Sequence, residues 1–363
     1  MEQHIDAVRL ESDLAEALER VRPLSEGEPS DYVDDVADRP VDALAAAVCT
    51  LDGRVSAVGD ADQEFALQSV SKALTYAVAL QEAGLDEVLR HVGAEPSGEA
   101  FNHLSLHDDG RPFNPLINAG AIMSYTLVPG DGHEARTACL LDWFGRMAGE
   151  ELRVSEDVLG AEQGLADRNL GLAHLLADAG TLPTDAPDAV AGYLAQCSVL
   201  VDVRRLAVIG ATLAGGGVNP VTGERVLDEW VAQQTMTVML MCGMYDASGQ
   251  WAAEVGVPAK SGVSGAILGT VPGALGLATW SPRLDERGTS VRGIGVFEGL
   301  AARWDLHVLR HRDALAGLRG EGRALVGRRA GVCRGPSACR EADPRPVAEA
   351  LRGRRGRCLA SRP

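Results

Sequence analysis

Lysine is almost missing from this sequence. Of its 34 basic residues only two are lysines, Lys72 and Lys260, and the rest are arginines. Arginine keeps its proton in proteins, whereas lysine can lose it when desolvated or set beside another cation. A chain that uses Arg for fixed charge and keeps Lys at two places invites a chemical reason for those two, and for Lys72 the natural one is a base. Aromatic residues are also scarce, at 4%, so the core must be built from Ala, Val and Leu, of which a hydrophobic content of 46% supplies enough. No apolar run reaches the length of a membrane span. The N-terminus, MEQHIDAVRLESDLAEALERV, is charged and has no apolar stretch of the secretory kind, which gives a cytoplasmic expectation. The seven cysteines show no C-x-x-C and no Cys/His cluster, which argues against zinc. Cys49, Cys139, Cys197 and Cys242 sit in apolar contexts and read as reduced, buried thiols. Gly215-Gly216-Gly217 has neither a strand before it nor Gly-Lys-Ser/Thr after it, so it is no phosphate loop.

Charge is unevenly spread. The net charge is −17, yet Arg312 to Pro363 holds 13 Arg against 5 acidic residues, a balance of +8 that leaves −25 on residues 1–311. A body that acidic disfavours nucleic acid and anionic membranes. The tail is rich in Arg, Gly, Pro and Ala with little periodicity. It reads as a disordered, solvated appendage with a marginal helix near Val347–Leu351; a basic arm for an anionic partner is the rival reading.

What is present centres on Phe65 to Leu80, FALQSVSKALTYAVAL. After Gln68 this stretch is rich in Ala and Leu, lacks Gly and Pro, and stops at Gly84, a plausible C-cap. On that helix Ser69 and Lys72 are i and i+3 and share a face. Ser69 falls in the first turn, where free N–H groups and the helix dipole favour an oxyanion. Ser-x-x-Lys is the nucleophile-and-base pair of the penicillin-recognising enzymes, whose later element is Lys-Thr-Gly. Lys260-Ser261-Gly262 stands where that element would be. The plain alternative is a surface lysine on an amphipathic helix.

Along the chain, a helix is expected from about Ile5 to Val21, followed by a Pro/Gly/Ser linker. AAAVCT (Ala45–Thr50) and Val55–Val58 read as a hairpin about Asp52-Gly53. From about Ala83 to Gln234 the periodicity is mostly helical: Thr137–Met147, Ala166–Ala179, Ala186–Gln196, Val203–Leu213 and Glu229–Cys242. From Gly262 to Val296 the runs GVSGAILGTV, GALGLATW and VRGIGVF read as a strand meander. The expectation is an α/β fold: an antiparallel sheet with flanking helices, its parts at about 27–66 and 258–309, plus an all-α lobe at about 83–242. Ser69 would open into the cleft between them.

Longer motifs then join Ser-x-x-Lys. Pro112-Phe113-Asn114-Pro115-Leu116-Ile117-Asn118-Ala119-Gly120-Ala121-Ile122, Glu162 with Asp167-Arg168-Asn169, Tyr193 with Gln196-Cys197-Ser198, Cys242-Gly243-Met244-Tyr245-Asp246 and Pro258 to Gly265 resemble the serine-dependent glutaminase family from roughly Gly27 to His307. The resemblance implies the serine β-lactamase/DD-peptidase-like fold and hydrolysis of L-glutamine to glutamate and ammonia through a glutamyl ester on the serine. It implies Ser69 as nucleophile, Lys72 as base and Tyr245 as the proton-passing tyrosine, with Lys260 in support. It further implies Tyr32, Asn118, Glu162, Asn169, Tyr193 and Tyr245 as residues around the substrate, and a Val263 N–H that joins that of Ser69 in the oxyanion hole. No cofactor is implied, and dimers or tetramers are usual in the family. Lys-Ser-Gly in place of Lys-Thr-Gly, and the lack of any Ser-Asp-Asn, depart from the penicillin enzymes rather than from this family.

The residue types suit the chemistry. An amide carbonyl needs a nucleophile, a base and two donors where the oxyanion develops, and the leaving ammonia needs a proton. Glu162 suits an α-ammonium; Asn118, Asn169 and Tyr32 suit a carboxylate without adding charge beside Lys72. Plainer readings stand beside these. Glu162 and Asn169, seven apart on a helical stretch, would share a solvated face; Asn118 would cap a helix; Tyr193 and Tyr245 would be half-buried core. His103 and His107 with Asp108 and Asp109 have metal-ligand spacing but no further ligand set, which reads as no metal site. Two other functions remain open from sequence: a penicillin-interacting serine hydrolase or esterase, and a glutamine-binding protein without turnover.

Overall fold

The computed structural model describes residues 7–30, 40–98 and 106–310. Ile5, Tyr32, His103 and the tail, with the helix expected near its end, lie outside these residues.

Small residues build the sheet. After helix α1 (Ala7–Val21), strands β1 (Ala45–Thr50) and β2 (Val55–Gly59) form the expected hairpin, turned at Gly53 with φ of +84°. A short strand β3 (Phe65–Ala66) and a 3-10 turn (Gln68–Val70) lead into α2 (Ser71–Ala83). The helical lobe follows as α3 (Leu85–His91), α4 (Asn118–Thr126), α5 (Gly132–Ala148), α6 (Glu156–Gly164), α7 (Asp167–Asp178) and α8 (Ala186–Cys197). Strand β4 (Leu200–Val201) pairs with β3 and precedes α9 (Val203–Ala214) and α10 (Glu229–Cys242). A 3-10 turn (Tyr245–Ala247) runs into α11 (Ser248–Glu254), then β5 (Ala259–Ser261), β6 (Ala266–Val271), β7 (Leu275–Trp280) and α12 (Val291–Trp304).

Five of these strands form one antiparallel sheet in the order β2-β1-β7-β6-β5. β1 from the first part of the chain lies directly on β7 from the last, with Val48 opposite Leu277. Sheet residues from both ends thus enclose the helical insertion, as the sequence pattern predicts. Strand alternation sorts β1 between two cores. Ala45, Ala47 and Cys49 face the core shared with α2, α8 and α9, while Ala46 and Val48 face α1 and α12. Glycine lets α9 lie on the sheet at backbone contact. A Cβ at Gly276 would come within 2.2 Å of Ala207 O and Ala211 N, so no larger residue fits there.

Three expectations need correction. VRGIGVF is the start of α12, not a strand: the Ser290 hydroxyl caps it by accepting from Gly293 N at 3.2 Å. Glu162 and Asn169 do not share one helix, because α6 ends at Gly164 and α7 begins at Asp167. Ser69 lies in the 3-10 turn before α2 rather than in the first α-turn, since Gln68 has a φ of +48° that no α-helix contains. Elsewhere α5 starts five residues ahead of the expected Thr137, and α10 has the expected bounds. Cys49, Cys197 and Cys242 are free and buried, whereas Cys139 is only half-buried.

Candidate active site

The site forms where the 3-10 turn and α2 meet the lobe on one side and β5 on the other. The Ser69 side is fixed by one distant and one local bond: Leu67 N donates to Val199 O at 2.8 Å, and the Ser71 hydroxyl donates to Gln68 O at 2.7 Å. Among the described residues only Gln68, Tyr245 and Asp305 are non-glycine residues at positive φ, and the first two are both here. Backbone in that region is strained for such side chains, and it persists where surrounding structure demands it.

Both lysines are fully buried. Lys72 Nζ donates to Asn118 Oδ1 at 2.6 Å, and Asn118 Nδ2 donates to Asn169 Oδ1 at 3.0 Å. Burial is the main cause that brings the Lys72 amine down to about 8, with Cys197 and Glu162 pulling the other way. An amine in that range can be neutral at working pH, which a base requires. Asn118 does not cap α4, where Ile117 is the cap residue; its amide is spent on Lys72 and Asn169.

Glu162 is 6% exposed and accepts from Gln68 Nε2 at 2.7 Å. Burial raises its proton affinity, while the Gln68 hydrogen bond and Lys72 lower it. A cation arriving beside it would supply the charge that burial withholds. Tyr193 is buried, with Lys72 Nζ 5.8 Å from its ring centre, and burial raises its hydroxyl well above the usual range. Cys197, next to both, is a neutral thiol pushed up to about 12 by burial.

On the far side, the half-buried Tyr245 hydroxyl donates to Ser261 O at 3.3 Å and is hydrogen-bonded to Ser69. Burial pushes it up to about 12. Lys260 Nζ lies 4.1 Å from the Tyr245 ring centre. Val263 follows Gly262, at which a Cβ would lie 3.5 Å from Ser69 N, so the two segments run side by side. A pair of backbone N–H groups beside a serine can receive a developing oxyanion. The structure therefore brings together Ser69, Lys72, Asn118, Glu162, Asn169, Tyr193, Tyr245, Lys260 and Val263. No group of three or more His, Cys, Asp or Glu among the described residues could hold a metal ion.

With this geometry in place, the family model described as Glutaminase matches residues 27–309. The chain belongs to the glutaminase family. It is 46% identical over 298 residues to the glutaminase of Corynebacterium glutamicum, covering 82% of this chain and 72% of that protein. The glutaminase of Clavibacter michiganensis subsp. michiganensis is 47% identical over 282 residues, 77% of this chain and 86% of the relative. Among solved structures, the probable glutaminase ybaS superposes with a TM-score of 0.82 at 40% identity over 85% of this chain and all of its own. Mglu in its glutamate form gives 0.81 at 44% identity over 85% of this chain and 72% of its own. Its glutaminase neighbours and its antiparallel sheet with flanking helices agree with the serine β-lactamase-like architecture expected from sequence.

Sequence reasoning missed Gln68, which carries both the strained backbone and the Glu162 contact. Its signal was available: a single amide residue in an otherwise apolar FALQ, immediately before the serine. Missed too is the buried tie between α2 and α8, in which Thr75 Oγ1 donates to Gln196 Oε1 at 2.8 Å and Gln196 Nε2 reaches Ser71 Oγ at 3.4 Å.

Proposed function

We propose that this chain is a glutaminase that hydrolyses the side-chain amide of L-glutamine through an ester on Ser69. The observation that carries the mechanism is the fully buried Lys72, three residues after Ser69, held down to about 8. Neutral Lys72 takes the Ser69 proton as the hydroxyl oxygen bonds to the amide carbon. The carbonyl oxygen becomes an oxyanion facing the N–H groups of Ser69 and Val263. Collapse breaks the C–N bond, and the departing nitrogen takes a proton passed through Tyr245, giving ammonia. Water then adds to the glutamyl ester by the same route in reverse and releases glutamate and free Ser69. Glu162 pairs with the substrate's α-ammonium; Asn118, Asn169, Tyr193 and Tyr32 surround its carboxylate end. No cofactor enters any step.

Domain limits and setting belong to the same proposal: residues 1–311 form the catalytic domain, 312–363 a basic appendage, and the protein works in the cytoplasm as a dimer or tetramer. In support of that setting, no helix among the described residues is long and apolar enough to cross a membrane. The test is ammonia release from glutamine and asparagine, with nitrocefin hydrolysis followed by its colour change, by the wild type and Ser69→Ala. Release from glutamine alone, lost in Ser69→Ala, is expected. Undiminished release by Ser69→Ala would overturn the nucleophile. Tight glutamine binding without ammonia, or turnover of nitrocefin instead, would overturn the activity.

A further inference from the structure

We infer that Lys260 is a positioning residue for Tyr245, a strut that holds the tyrosine hydroxyl against Ser69. The inference rests on the proposed role of Tyr245 and names what keeps that residue in place. Lys260 is fully buried on β5, in register with Leu268 of β6, so its Cα is fixed by the sheet. Its Nζ donates to Ser261 O at 2.6 Å and to Gly243 O at 3.2 Å. Ser261 O is the same carbonyl that accepts the Tyr245 hydroxyl. Gly243 O also accepts from Ser261 N at 3.3 Å, and Gly243 opens the segment that carries Tyr245. At Gly243 a Cβ would lie 1.7 Å from Ala259 O, so this segment and β5 touch backbone to backbone.

The amine thus joins the two carbonyls that flank the tyrosine and lies against its ring, 4.1 Å from the centre. The Tyr245 backbone is held separately: the Ser248 hydroxyl donates to Tyr245 O at 2.8 Å and accepts from Met244 N at 3.0 Å. Ser248 thereby supports the residue at its unusual φ of +57°. The ring still has freedom about its side-chain torsions, and Lys260 limits that freedom from below while fixing the carbonyl to which the hydroxyl is tied. With its proton directed to Ser261 O, the Tyr245 oxygen offers lone pairs to Ser69. Burial and the nearby Lys72 push the Lys260 amine well below its ordinary range. An uncharged amine has two N–H bonds, the number of carbonyls it meets here. Arginine, which stays charged and is longer, could not take this place, and the near-absence of lysine elsewhere is consistent with that.

The experiment is a double-mutant cycle between Lys260→Met and Tyr245→Phe, reading kcat and KM for glutamine with thermal melting as the folding control. Tyr245→Phe alone should lower kcat about 100-fold or more, the usual scale of a lost proton-transfer group. Lys260→Met alone should lower kcat about 30- to 100-fold with KM within about 3-fold, the scale of a misplaced catalytic group. In the Tyr245→Phe background Lys260→Met should cost less than about 3-fold, because the hydroxyl it positions is gone. Equal losses in both backgrounds, or a loss under 3-fold in the wild type, would overturn the strut while leaving the tyrosine's role intact. Unchanged kcat in Tyr245→Phe would overturn the tyrosine's role and the strut with it. Should Lys260→Met not fold, Lys260→Gln, which keeps donors for the carbonyls but not the contact with the ring, is read in the same cycle by the same criteria.

Discussion

Basic residues are handled in two ways on the two sides of the sheet. Behind it, where α1 and α12 pack, the cations are arginines given to carboxylates. Arg303 reaches the 2%-exposed Asp13 at 2.6 Å, and Arg292, itself 3% exposed, meets Asp42 at 3.0 Å and the carbonyls of Leu24 and Asp42. At Asp42 hydrogen bonding from Arg283 is the leading cause that lowers the carboxyl's proton affinity. At the site in front of it the two fully buried cations are lysines that donate to neutral oxygens, Lys72 to an amide and Lys260 to two carbonyls. A carboxylate partner fixes a charge and stabilises; a neutral partner leaves the amine free to release its proton. The chain's choice between its two basic residue types follows the same line.

Exchanging the types should break the comparison most visibly. Lys72→Arg is expected to lose kcat by about 10³-fold or more, as fully as Lys72→Ala, since Arg keeps the charge but cannot accept the Ser69 proton. Initial rates of ammonia release decide this, and a substantial residual rate would remove Lys72 from the role of base. Next comes the one buried carboxylate on the front side among the described residues, Glu162. In Glu162→Gln the preference for glutamine over glutaramate, which lacks the amino group, should fall by about 10- to 150-fold, the worth of a charged hydrogen bond. An unchanged ratio of the two kcat/KM values with lower overall activity would mean that Glu162 supports structure instead of reading the ammonium.

Behind the sheet the outcome should invert. Asp13→Asn removes the charge that Arg303 meets but keeps an acceptor for the Trp304 indole N–H, now bonded at 2.7 Å. We expect a lower urea midpoint with kcat unchanged; a fall in kcat without loss of stability would show that the two sides are coupled. A pH series sharpens the contrast further. Activity should rise as pH passes about 8, where Lys72 loses its proton. The amine's folded value lies below its ordinary 10.5. Between the two values the unfolded chain holds the extra proton, so rising pH favours the folded state. Below about 8 both states are protonated and the burial cost is constant. The stability gap between Lys72→Met and wild type should therefore be widest below pH 8 and close toward pH 10, measured by urea midpoints; a gap that widens with pH would contradict a depressed amine. The smallest effect is expected from removing residues 313–363, whose composition has no core pattern: melting temperature and kcat should stay within error. A drop of several degrees would show that the tail packs.

The Ser69–Lys72 pair, the α10 bounds and the two-ended sheet were legible because each rests on a local period or a fixed spacing. What failed leaves no period or spacing to read. VRGIGVF has the glycines and branched residues of a strand, yet it is helical because Gly293 lets the helix approach the sheet: a Cβ there would lie 2.9 Å from Ile267 and Thr279. Glu162 and Asn169 read as one helix because the break is marked only by Gly164-Leu165, and the Leu165 N–H still turns back to Glu162 O at 3.1 Å. Two helices let their side chains reach one site from different directions, which a single helical face could not. The three-residue strand of Lys260 was too short for any period to show, although its motif was plain.

The pairing of β1 with β7 also sets an order of assembly. Thr50 and Leu275 are sheet partners separated by most of the described chain, and contacts so distant in sequence close slowly. The lysine on β5 and the N–H of Val263 belong to the late-made end, whereas Ser69 and Lys72 belong to the early one. A growing chain that has emerged only through α10 thus holds the proposed nucleophile and base, Ser69 and Lys72, without Tyr245, Lys260 or Val263 beside them. On the proposed roles of these residues, ribosome-arrested chains of increasing length should remain silent toward glutamine until the last sheet hairpin, which ends at Trp280, has cleared the exit tunnel.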